Sequence, residues 1–181
     1  MPGPLHRSAR RDDWWRVCLV PLALLTTTCS AETKRVGQVV ISVETDMAMP
    51  RAIDSIHMQV LVRGSALLDG SYPVGGGPLT QAIPATLALL AGEPSLPVTI
   101  RVRGEKAGVA RTLREATTIV PQDRRVLLRM PVQWLCDESV QTAASPAGRV
   151  LNSTCGEGFT CAAGRCVPST VDSATLPEYE P

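Results

Sequence analysis

The sequence predicts an all-β protein: an antiparallel β-sandwich followed by a small disulfide-stapled knuckle. Three observations point there. Apolar residues recur at every second position through most of residues 36–135. Clusters of Gly, Pro, Asp and Ser punctuate those runs. Four cysteines crowd the region from Cys136 to Cys166.

The alternation is clearest in three stretches. In "IHMQVLVR", Ile56, Met58, Val60 and Val62 point one way, while His57, Gln59 and Arg63 point the other. "PVTIRVRG" sets Val98, Ile100 and Val102 against Thr99, Arg101 and Arg103. "RVLLRMPV" places Val126, Leu128, Met130 and Val132 on one face. A period of two with charged residues opposite is the pattern of a strand with one face buried and one in water. "VGQVVISVE", "PATLALL" and "RTLREATTIV" are further strand candidates, the last two with some helical character. "MPRAID", "LLDGSYPVGGG", "AGEPSLP", "RGEKAG" and "VPQDRR" carry the turn residues that separate them. Six or seven short strands at this spacing predict an immunoglobulin-like or related sandwich.

The segments divide as follows. Residues 1–28 read as a signal peptide and 36–135 as the sandwich domain. Residues 137–154, "DESVQTAASPAGRVLNST", lose all periodicity and read as a linker. Residues 155–167 form the Cys-rich knuckle. Residues 168–181 are acidic and Pro-containing, the composition of a disordered tail.

The leader defines the address. Arg7, Arg10, Arg11 and Arg16 form a basic region ahead of an apolar run from Val17 to Leu25. That order is a secretory signal. The run is too short for a bilayer core of ~30 Å, which needs roughly 20 residues. It ends in "LTTTCSAE", where Cys29 follows the apolar segment as the acylated cysteine of a bacterial lipoprotein does. Cys29 is the expected lipidation site; the alternative is plain cleavage after Ala31 and secretion.

Without the leader the chain keeps 14 basic and 15 acidic side chains. That balance, with no basic run and no row of aromatics, argues against a nucleic-acid partner. A membrane would be reached through the N-terminal lipid anchor, and an envelope protein is the expected partner.

Cys136, Cys155, Cys161 and Cys166 are even in number and lack the close pairing of zinc ligands. No Cys-x-x-Cys redox pair is present either. Two structural disulfides are expected, with no metal and no cofactor. Of the three pairings, Cys136–Cys161 with Cys155–Cys166 would tie the knuckle to the sandwich end. Cys136–Cys155 with Cys161–Cys166 fits almost as well. Gly156, Gly158 and Gly164 suit the tight turns required. Phe159 is expected at the knuckle's apolar centre.

Together, the lipobox-like "LTTTCSAE", the β-rich "IPATLALLAGEPSLPVTIRVRG" and "REATTIVPQDRRVLLRMPVQWLC", and the final "CGEGFTCAAGRCV" resemble bacterial envelope lipoproteins of myxobacterial type. The resemblance implies an envelope location. It supplies no catalytic residues.

Residue types for catalysis are sparse. His57 is the one histidine beyond the leader and sits mid-strand on a polar face. No G-x-S-x-G is present, and a triad would need Asp46 or Asp54 beside His57. Glu44, Asp46 and Asp54 offer oxygen ligands for calcium but lack the dense spacing of known loops. "VGGGPLT" has no G-K-[ST] and reads as a flexible hairpin loop. Asn152-Ser153-Thr154 matches a glycosylation sequon by coincidence. Trp134 is expected to plug the end of the core. Tyr72, Trp134, Phe159 and Tyr179 are too few for an extended sugar platform. The expected function is a non-enzymatic cell-envelope lipoprotein serving as a structural or protein-binding module. The alternative is a secreted carbohydrate- or peptide-binding module.

The lipid anchor gives the first prediction. Radiolabelled palmitate should enter the wild type and not Cys29→Ser in a lipoprotein-processing bacterial host. Equal labelling of both, or labelling of neither, overturns Cys29 as the acylated residue.

Overall fold

The computed structural model describes residues 36–92, 96–145 and 148–180, which fall in one compact unit. The leader and Cys29 lie outside them. The described residues contain strands and two short 3₁₀ turns, and no α-helix. Seven strands build the sandwich: β1 (Gln38–Thr45), β2 (Ser55–Val62), β3 (Ser65–Pro73), β4 (Ala85–Leu90), β5 (Pro97–Lys106), β6 (Val109–Ile119) and β7 (Arg125–Val132). One sheet runs β4-β1-β7 and the other β3-β2-β5-β6. All these pairs are antiparallel except β1 and β7, which run parallel from Gln38–Arg125 to Thr45–Val132.

The sequence periodicity decides which side chains meet between the sheets. Val39, Ile41 and Val43 of β1 face Ile56, Met58 and Val60 of β2 in one core, with Val98, Ile100, Val102, Val126, Leu128, Met130 and Val132. At one end Met47 and Ile53, from the β1–β2 connection, complete the core. Trp134 does not plug that end. It is 56% exposed, because its backbone N–H is held outward by Asp46 at 2.6 Å while Ile53 fills the space beside Val132.

Hairpin turns fix the register. Arg63-Gly64 joins β2 to β3 and Ala107-Gly108 joins β5 to β6, each with both residues at positive φ. Two-residue turns of that geometry match the right-handed twist of paired strands.

β3 corrects the reading of "LLDGSYP" as a turn. It pairs along β2 as an edge strand with mostly exposed side chains, so no apolar alternation betrays it. "VGGGPLT" is likewise not a hairpin loop but part of the connection from β3 to β4, which crosses between the sheets.

The C-terminal third differs most from expectation. The segment read as a linker contains a hairpin of β8 (Val140–Ser145) and β9 (Gly148–Ser153). The knuckle is a second hairpin, β10 (Phe159–Ala162) and β11 (Arg165–Pro168), again closed by a positive-φ pair, Ala163-Gly164. The two disulfides interleave: Cys136 bonds Cys161 and Cys155 bonds Cys166. Closing loops of 25 and 11 residues removes unfolded-chain entropy worth roughly 3 kcal/mol each. Phe159 is not the knuckle's centre. It is 45% exposed, and Thr160 occupies the buried position.

Nor is the tail free. Thr117 pairs in parallel with Thr170, and Val126 pairs antiparallel with Glu178. Leu127 N–H donates to the Pro177 carbonyl and Tyr179 N–H to the Arg125 carbonyl, each at 2.9 Å. Val171 and Leu176 pack against the core. Backbone pairing requires no apolar periodicity, so composition could not reveal it.

These segments seal β6. Its edge-directed N–H groups at Leu113, Glu115 and Thr117 donate to Ser139 Oγ at 3.2 Å, Thr160 Oγ1 at 2.8 Å and the Ser169 carbonyl at 2.8 Å. Thr160→Val keeps the shape and removes the middle acceptor. It should destabilise the oxidised protein by about 1–3 kcal/mol, read from the urea midpoint. Thr154→Val, at an exposed position, should stay within about 0.5 kcal/mol. Equal midpoints for both variants would contradict the sealing role.

Candidate functional site

One long side of the sandwich is sealed and the other is open. On the open side, β3 and β4 are the edge strands of their sheets among the described residues. Their inward side chains do not meet completely, and two cavities remain between them. The first, about 410 Å³, is lined by Val43, Ile56, Met58, Tyr72, Ile83 and Leu87. The second, about 390 Å³, is lined by Val62, Leu67, Leu89, Leu90, Val98 and Val120. Among the described residues, no charged side chain lines either one. Leu67 and Leu90, at the second, are 69% and 66% exposed. Met58 and Val62 are four residues apart on β2, which places the cavities about 13 Å apart along the strand.

The outer face of the four-stranded sheet is chemically opposite. His57 Nε2 lies 2.6 Å from Asp69 Oδ1, and Gln59 donates to Asp69 Oδ2 at 2.9 Å. These contacts, the Gln59 amide foremost, hold the Asp69 carboxyl below its ordinary value. Arg101 Nε lies 2.9 Å from Glu115 and Arg103 Nε 3.4 Å from Glu105. Burial pulls the Arg103 guanidinium down, partly offset by Glu105. Arg111 grips Asp137 with two nitrogens, which raises its pKa and ties β6 to the residue after Cys136.

The partner of His57 is thus Asp69, not Asp46 or Asp54. Cross-strand pairing is the missing information, since β3 had to be recognised first. Ser71 stands opposite His57 in the β2–β3 register, but no hydrogen bond joins them. The group lies on the outer face of the sheet, near enough to the Arg103 guanidinium for that charge to act on Asp69.

The candidate calcium ligands go separate ways. Asp46 accepts the Trp134 N–H, Asp54 accepts the Ala107 N–H and pairs with Lys106 at 3.3 Å, and Glu44 faces Arg129 at 3.8 Å. The Ala107 hydrogen bond, with Lys106, holds the Asp54 carboxyl below its usual range. Among the described residues, no three His, Cys, Asp or Glu side chains are grouped to hold a metal.

A third hollow, about 340 Å³, lies over Arg101 and Glu115. The β8–β9 hairpin contributes Gln141, Asn152 and Ser153, and the loop from Gly156 to Phe159 closes it. No sequence signal marked it, because three separately folded segments create it.

No protein-family model, curated protein or solved structure matches this chain. The two disulfides place the folded protein in an oxidising compartment, extracellular or periplasmic. Among the described residues, no helix is long and apolar enough to cross a membrane.

Asp54 and Asp69 predict an acid limb. A carboxyl with a lowered folded-state pKa contributes stability above its unfolded value of about 3.9, lost as pH falls through the folded value. The thermal midpoint of the wild type should therefore fall on acidification below about pH 4. Asp54→Asn/Asp69→Asn should show a shallower fall. Superimposable acid limbs would refute the assignment.

Proposed function

We propose that this protein is a lipid-anchored, non-enzymatic module of the bacterial envelope, which binds an extended, uncharged segment of another envelope protein along its β3–β4 side. One observation carries the binding reading: the chain's own C-terminal segments close the β6–β7 side, while no described residue adds a strand to β3 or β4, which lie beside apolar cavities.

Free edges offer unpaired backbone groups to an added strand, and cavities beneath them give side-chain selectivity. The largely apolar linings of both cavities select apolar side chains. Their spacing of about 13 Å matches residues four apart on one face of an extended peptide. Anchoring through Cys29 rests on the leader sequence and on the likeness to myxobacterial-type lipoproteins. The oxidising compartment supports export.

The test uses fluorescein-labelled nonapeptides with leucine at positions i and i+4 in a Thr/Ser background. These should bind, and moving the second leucine to i+3, on the opposite face, should weaken binding about ten-fold. Thr86→Arg and Ala88→Arg put charge at the first and second cavity from exposed positions. Each should abolish binding without changing the thermal midpoint. Binding indifferent to leucine spacing, or unchanged in both variants, would overturn the groove as the site.

A further inference from the structure

We infer that the polar cleft over Arg101 and Glu115 is a second binding site, for a neutral sugar segment of a glycan. It is independent of the β3–β4 groove and shares none of its lining residues.

The floor of the cleft is pre-set. Arg101 is ion-paired with Glu115 across β5 and β6, and its guanidinium donates to the Leu151 carbonyl of β9. Its side chain is only 15% exposed. The guanidinium is thereby neutralised and fixed, so it offers a bound group oriented N–H donors more than free charge.

The walls supply what the floor lacks. Among the described residues, the Asn152 side-chain amide and the Glu157 carboxylate meet no hydrogen-bond or ion-pair partner, and Gln141 donates to the Ser153 carbonyl at 3.5 Å. An amide presents donors and an acceptor together, and a carboxylate accepts. Sugar hydroxyls both donate and accept, which is the complement of that set. Phe159, the chain's single phenylalanine, stands in the wall and is 45% exposed, although Thr160 and Cys161 beside it are buried. An exposed ring beside neutral amides gives the C–H face of a pyranose an apolar surface to rest on.

Charge narrows the ligand class. Glu115 and Glu157 disfavour an acidic sugar, and Arg101 in the floor disfavours a cationic side chain. The volume, about 340 Å³, falls within the ~300–1,000 Å³ range of small-ligand sites. The Cys155–Cys166 bond holds the ends of the segment that carries Gly156 to Phe159, so the wall is anchored without a large core beneath it.

The experiment is an amide NMR titration of the full, oxidised chain with cellotetraose, chitotetraose and maltotetraose. Tri-galacturonate and tetralysine serve as the acidic and cationic probes. At least one neutral tetrasaccharide should give saturable shifts at Asn152, Glu157 and Phe159. Asn152→Ala and Phe159→Ala, each checked for native amide dispersion, should weaken that binding about ten-fold or more. Tyr72→Ala, in the other groove, should leave it unchanged. No saturable shift with any neutral probe up to about 10 mM overturns the proposal. So does binding confined to tri-galacturonate or tetralysine, or binding retained by both cleft variants. None of these outcomes bears on peptide binding at Thr86 and Ala88.

Discussion

The exposed edge of β6 is the constraint around which the rest of this structure is arranged. An unpaired edge strand carries a row of backbone donors and acceptors that invites pairing with another chain. Here the row is answered from within. Ser139, Thr160 and Ser169 accept the N–H groups of Leu113, Glu115 and Thr117 in turn. Those acceptors come from the 3₁₀ turn region, the knuckle hairpin and the tail, three segments that lack a core of their own. The disulfides hold the knuckle in place: Cys136, beside Ser139, is bonded to Cys161, beside Thr160. The staple therefore fixes the spacing between two successive caps on β6.

Sealing one side leaves the molecule asymmetric. The tail continues from β6 to β7, so both sheets are closed on that flank. On the opposite flank, no described residue pairs with the outer edges of β3 and β4, and two cavities remain. Two surfaces of different chemistry result. The cavities of the open flank are lined mainly by apolar side chains, while the cleft above Arg101 is polar and backed by ion pairs. A protein with a single small core can support both because the outer face of the four-stranded sheet is already charged by its alternating pattern.

The sandwich strands were legible wherever one face is buried. β2, β5 and β7 show period-two apolar residues, and their inward sets are those the alternation indicates. β3 was not legible, because an edge strand with exposed side chains obeys no burial pattern. β8, β9 and the tail carry no apolar alternation either. Their structure is held by backbone hydrogen bonds and by short polar side chains, and neither leaves a periodic trace. Trp134 and Phe159 were misplaced on size and apolarity alone. Ile53 and Thr160 took the interior positions because of where the chain turns, which residue type does not reveal.

By itself the sequence determined the all-β class, the inward faces of the main strands and the presence of disulfides. These follow from local rules: strand periodicity, turn chemistry, and an even count of cysteines without metal-ligand or redox-pair spacing. The tertiary structure decided which cysteines pair, which sheet edges are covered, and where the groove and the cleft lie. Each of those depends on residues far apart in the chain meeting in space. Arg101, Leu151 and Phe159 define a site only after β5, β9 and β10 have been folded against one another.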